Sequence, residues 1–177
     1  AKLGVLKMDV DNLSTYFDSF DNKQDAKHLS KLLSDFFETE IYSILEKNYI
    51  DSHSLEKHEL LKNNIYPIFS GGDDCFFVGA FDAVFAFARY VNAAFDVFTD
   101  KDEFRQLTQN RKATISGGFV IVDGHFPVVR FAHLAEDALE NAKKYEKGDY
   151  TKNAISMLGE IFSWDEYSGT KDKDKNA

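Results

Sequence analysis

Cysteine is nearly absent: Cys75 stands alone among 177 residues, so no internal disulfide can form and a zinc knuckle lacks ligands. Long apolar runs are missing as well. No stretch approaches the roughly 20 residues of a membrane span, and no signal-peptide pattern opens the chain. Positive charge is in deficit, with 21 Lys+Arg against 30 Asp+Glu and a net charge of -9. That balance argues against strong, direct nucleic-acid binding by this chain alone. The five histidines show no metal-ligand spacing, and His53 and His58 fall in a polar stretch where solvation is expected. These absences predict a cytoplasmic protein without a membrane partner. What is present is core material: 44% hydrophobic residues, including 17 Phe, which excludes disorder for most of the chain. The length suits one domain.

The pattern predicts a short buried strand over Leu3–Asp9, ending on Asp9 and Asp11 around Val10. Apolar positions at three and four predict a long amphipathic helix from about Asp25 to Lys47, followed by a polar loop over Asn48–Asn64. Ile65–Phe69 and Cys75–Val78 are β-rich runs joined by Ser70-Gly71-Gly72-Asp73-Asp74, a hairpin signal. A second helix is expected over Phe81–Phe98, a charged connection over Lys101–Lys112 and a strand over Ala113–Val122. A third helix over Val128–Glu146 and a last strand over Asn153–Leu158 complete the domain, expected to span residues 1–167. A polar tail, expected to be disordered, follows over 168–177. The order is an α+β, ferredoxin-like βαββαβ pattern with an extra helix and strand, its antiparallel sheet carrying helices on one face.

In that topology the end of the first strand lies beside the hairpin turn, bringing Asp9, and with it Asp11, toward Asp73 and Asp74. Clustered carboxylates are unfavourable unless a cation neutralises them or some hold protons. Oxygen-only ligands select Mg²⁺ or Mn²⁺, and a pair of such ions can activate a hydroxyl and stabilise a leaving pyrophosphate. Alone, Ser-Gly-Gly-Asp-Asp is what any hairpin turn favours. Paired with Asp9-Val10-Asp11-Asn12 at a strand end, it becomes informative. Asp11 has a competing reading as a helix cap.

The run Leu6-Lys7-Met8-Asp9-Val10-Asp11-Asn12-Leu13 with Phe69-Ser70-Gly71-Gly72-Asp73-Asp74 resembles the second palm domain of the large signature subunit of type III CRISPR effector complexes. Ile115-Ser116-Gly117-Gly118, Ala135-Glu136 and Ala142-Lys143 support it, and Lys152-Asn153-Ala154-Ile155 and Ser163-Trp164-Asp165-Glu166 match the Csm-type (subtype III-A) branch. The resemblance implies a GGDD palm that polymerises ATP into cyclic oligoadenylates on two Mg²⁺ or Mn²⁺ ions. It implies metal ligation by Asp9, Asp73, Asp74 and the Val10 carbonyl, with catalysis centred on Asp73 and Asp74. Nucleotide contacts are expected from Asn12, Leu13, Ser14, Ser70, Gly71, Gly72, Lys143 and Lys152. The implied partners are the remaining domains and subunits of the effector, with guide RNA and target RNA. The nuclease, first palm, zinc and helical domains of that subunit are not in this sequence, so an excised domain of low or no activity alone is expected. Two alternatives stand: a GGDEF-like diguanylate cyclase, disfavoured by Asp74-Cys75 where that family has Glu-Phe, and a catalytically silent structural palm.

Overall fold

The computed structural model describes residues 2–51 and 57–169. Strand β1 (Lys2–Val10) leads into a short helix α1 (Leu13–Phe17) and then α2 (Lys23–Asp35), whose first turn is capped by Asn22 accepting from the Asp25 N–H at 2.9 Å. A π-helical segment (Phe36–Glu40) carries the same helical rod into α3 (Ile41–Ile44). The stretch expected to be a loop instead holds the two-stranded β2 (Asn48–Ile50) and β3 (His58–Leu60), with Tyr49 turned into the core. One buried tyrosine in a polar segment is too weak a signal to mark a strand. His53 lies outside the described residues.

The hairpin of β4 (Ile65–Gly71) and β5 (Asp74–Ala80) precedes α4 (Phe81–Thr99). The expected charged connection contains α5 (Asp102–Leu107), held by the buried Phe104. Then come β6 (Ile115–Asp123), α6 (Val128–Ala142), the small pair β7 (Glu146–Lys147) and β8 (Tyr150–Thr151), β9 (Ala154–Met157), β10 (Glu160–Ser163) and α7 (Trp164–Ser168). Helix α6 therefore stops four residues before the expected Glu146. Strand β10 and helix α7 are additions to the expected order; α7 carries a Ser163–Glu166 capping box and ends on Gly169 at φ 71°. The expected tail lies outside the described residues from 170 onward.

The six-stranded sheet runs β10-β9-β6-β1-β5-β4. Its β6-β1-β5-β4 part is antiparallel throughout, the order expected of a ferredoxin-like domain. The sheet as a whole is mixed, because β9 pairs parallel to β6. A parallel pair needs a crossover, and α6 supplies it. Alternation along β1 sorts the two faces. Leu6, Met8 and Val10 pack against α2 and α4, whereas Val5 packs with Phe131 and Ala135 of α6. Helices thus cover both faces, α6 being the addition to the side expected to be bare.

The main core is a phenylalanine cluster in which Phe36 lies 5.3 Å from Phe95 and 5.0 Å from Phe98 between ring centres. Each such burial contributes about 1.5–3 kcal/mol. Phe87, Phe95 and Phe98 are core as expected, while Phe81 and Phe85 are partly buried and line a cavity of about 670 Å³ beside Tyr49, Arg89 and Tyr90. Trp164 Nε1 donates to the Ile115 carbonyl at 2.8 Å and fastens α7 to β6. Among the described residues, no helix is long and apolar enough to cross a membrane.

Candidate metal and nucleotide site

Register builds the site. In the antiparallel β1–β5 pair Asp9 stands opposite Asp74, and the Val10 N–H donates to the Asp73 carbonyl at 3.1 Å. Directly opposed residues share a face, so the Asp9 and Asp74 side chains emerge together with Asp73 at the turn. Gly72 has φ 64°, and a Cβ there would meet nothing within 4 Å, so the turn backbone is left-handed and open to an approaching ligand. The Ser70 hydroxyl, expected on the nucleotide, donates to the Phe37 carbonyl at 2.5 Å. It therefore ties the strand leading into the turn to the π-helical segment. Gly71 faces Glu38, whose Oε1 would lie 3.4 Å from an added Cβ.

The electrostatics of this corner are crowded. Partial burial raises the Asp73 carboxyl above its ordinary range, and the Asp9 charge adds to the rise. Burial also raises Asp74, followed by repulsion from Asp73, with Lys7 opposing. Lys7 alternates with Asp9 along β1 and pairs with Glu136 of α6; Lys143, at the end of the same helix, pairs with Asp9. Four carboxylates (Asp9, Asp73, Asp74, Glu136) thus face two ammonium groups. The excess is negative, and the donors are all oxygen. Such a set fits hard divalent ions such as Mg²⁺ or Mn²⁺. Among the described residues, no group of three His, Cys, Asp or Glu is already arranged to hold a metal ion. Asp9 is paired here with Lys143 at the end of α6.

Helix α6 is brought to this corner by Gly118. A Cβ on that residue would sit 2.3 Å from the Leu139 nitrogen and 2.4 Å from the Ala135 carbonyl oxygen. Only glycine lets the helix lie so close to β6. Glu136 and Lys143 are seven residues apart, two turns on one helical face, and both reach the end of β1. Sequence reasoning picked out Lys143 but missed Glu136 and Lys7; the i, i+7 spacing and the Lys7–Asp9 alternation were the available signals.

The structure corrects both readings of Asp11. It does not join the other carboxylates, and it does not cap α1, whose N-cap position is Asn12 with no side-chain cap bond. Asp11 is 2% exposed, and its Oδ2 accepts from Thr114 Oγ1 at 2.7 Å, Ser116 Oγ at 3.0 Å and the Asn153 N–H at 3.0 Å. Its chain is thereby pulled toward β6 and β9, away from β5. Asn12 has φ 55° and begins the turn into Leu13 and Ser14. The first N–H groups of any helix lack intrahelical partners, so this junction offers donors. Lys152 joins the same place, its Nζ 2.5 Å from Asn12 Oδ1. Asp9, Asp73, Asp74 and Lys143 thus form one cluster, and Asn12, Leu13, Ser14 and Lys152 a second, adjoining through β1.

Comparison with known proteins identifies the family and the fold. The family described as Cas10/Cmr2, second palm domain, matches residues 2–156. The Cas10/Csm1 single-strand-specific deoxyribonuclease of the subtype III-A CRISPR system from Methanocaldococcus jannaschii is 31% identical over 96% of this chain. Its counterpart in Thermococcus onnurineus is 32% identical over 89%. The chain spans only 22% and 19% of those proteins. Among solved structures, a Csm1-Csm4 cassette in complex with AMPPNP superposes with a TM-score of 0.70 at 26% identity, covering 95% of this chain and 24% of that one. The same type of cassette in complex with cA4 gives 0.68 at 25% identity, again over 95% of this chain and 24% of that one.

Proposed function

This chain belongs to the family of the Cas10/Cmr2 second palm domain, and we propose that it serves a type III CRISPR effector as the palm that polymerises ATP into cyclic oligoadenylate. The observation that carries the reading is the register match of Asp9 with Asp74, with Asp73 beside them and too little positive charge to balance the group. The nucleotide and cyclic product in the two cassette structures support ATP as the substrate class.

In this reading Asp9, Asp73, Asp74 and the Val10 carbonyl would hold two Mg²⁺ or Mn²⁺ ions. Bound there, such ions supply Lewis acidity toward an attacking 3′-hydroxyl and a departing pyrophosphate. The chain's own groups do the rest. Asp73 and Asp74 deliver negative charge at the reacting end, where burial and mutual repulsion leave the metal-free carboxylates short of a cation. Lys143 exchanges Asp9 for a phosphate oxygen as a charge-assisted partner. Asn12, Leu13 and Ser14 offer backbone N–H groups to the triphosphate, with the Lys152 ammonium beside them. Gly72 leaves room for a nucleotide over the turn, whereas Gly71, expected to contact it through its lack of a side chain, is packed against Glu38. Other domains and subunits of the effector, with guide RNA and target RNA, complete and switch on the site.

The test is turnover of labelled ATP with Mn²⁺, by the chain alone and by the full-length subunit assembled with its partners on target RNA. Cyclic oligoadenylate from the assembly, with little from the chain alone, is the expected result. Absence of product from the assembly, or GTP consumed in preference to ATP, overturns the proposal.

A further inference from the structure

Asp11 takes no part in the carboxylate cluster, yet it is the most deeply buried charged side chain at this end of the sheet. We infer that Asp11 is a positioning residue that fixes Lys152 over the β1–α1 junction. The inference rests on the reading of Lys152 as a triphosphate contact and adds the device that holds it there.

Lys152 and Asn153 both have left-handed backbones, φ 57° and 50°. Neither is glycine, and consecutive non-glycine residues keep this conformation only where their surroundings impose it. The Asp11 carboxylate imposes it from one side by accepting the Asn153 N–H at 3.0 Å. Ser116, itself donating to Asp11 at 3.0 Å, accepts the next N–H, that of Ala154, at 3.5 Å. On the other side the Lys152 N–H donates to the Tyr145 carbonyl at 2.8 Å. The turn is therefore pinned at 152, 153 and 154. The Lys152 side chain then reaches back to Asn12, the residue after Asp11, closing a ring from Asp11 through Asn153 and Lys152 to Asn12. A lysine on a free turn would spread its ammonium over many rotamers; here it is held where a phosphate would meet it.

The experiment measures steady-state ATP kinetics of the assembled full-length effector carrying Asp11→Ala, Lys152→Ala and both. Each single substitution is expected to raise the KM for ATP about tenfold with kcat within about twofold, the loss of one charge-assisted contact. The double variant is expected to be no worse than Lys152→Ala, because Asp11 acts through that lysine. Asp11→Asn keeps an acceptor in place and should stay within about threefold of the parent. Should Asp11→Ala not fold, Ser116→Ala removes one pin and should raise KM by an intermediate amount; an unchanged KM there overturns the inference. Additive effects in the double variant, or a fall in kcat alone, also overturn it. A Lys152→Ala variant with unaltered KM instead refutes the underlying reading of the lysine.

Discussion

Asp9 on β1 and Asp74 on β5 are directly opposed across an antiparallel ladder, although 65 positions of chain separate them. Strand pairing alone creates their proximity, and the Val10–Asp73 backbone bond continues it into the turn. The charges oppose the arrangement, so it is held by the apolar core beneath, where Met8 and Cys75 pair fully buried.

Replacing Asp73 and Asp74 together with Ala should abolish oligoadenylate synthesis by the assembled effector. The loss should exceed about a hundredfold, since even outer partners of metal ligands cost 10–100-fold. Thermal unfolding of the metal-free double variant should not fall, because two mutually repelling groups have gone. Product at the parental rate would count against the assignment.

Lys143→Ala separates two roles. Its ammonium offsets Asp9 in the ligand-free protein and is proposed to meet phosphate in the complex. ATP affinity should therefore weaken about tenfold, the scale of one charge-assisted bond. Mn²⁺ binding, followed by calorimetry, should hold steady or tighten, because a competing cation has been removed. Weakened Mn²⁺ binding would contradict this account of Lys143.

The carboxylates also set a pH dependence for the metal-free protein. Burial and mutual repulsion raise Asp73 and Asp74 above the ordinary aspartate value of 3.8. The folded state then binds protons more readily than the unfolded chain. The sign follows: their contribution to stability is fully present below that value and is lost as pH rises through the raised native values. Scanning Tm without metal from pH 4 to 7 should show the parent losing stability relative to the Asp73→Asn/Asp74→Asn variant. Adding Mn²⁺ should rescue the parent increasingly as pH rises. Parallel curves for the two proteins would contradict the crowding.

Gly118→Ala tests the seat of α6. The added carbon meets backbone atoms of Leu139 and Ala135, which cannot rotate away. Overpacking of this sort costs about 1–3 kcal/mol, so Tm should drop by several degrees. Because the helix carries Glu136 and Lys143, ATP affinity should fall as well. Unchanged melting would show that the close approach is not required.

The sequence carried the ferredoxin-like order plainly, since the Ser70–Asp74 turn and the long apolar periodicities leave few alternatives. It carried the pairing of Asp9 with the hairpin for the same reason, once the topology was in hand. Asp11 was misread because spacing along a strand gives the face but not the direction of reach; Thr114, Ser116 and Asn153, distant in sequence, decide where that carboxylate goes. Lys7 and Glu136 were passed over for a related reason: spacing gave their faces but not their partner. Their pairing depends on how closely α6 approaches β6, a distance set by Gly118.

Anomalous diffraction from crystals of the full-length subunit grown with Mn²⁺ and a non-hydrolysable ATP analogue tests the central claim most directly. Manganese peaks within bonding distance of the Asp9, Asp73 and Asp74 carboxylates, with the triphosphate alongside, are the result this account requires. Manganese bound elsewhere, with Asp9 still paired to Lys143, would contradict it.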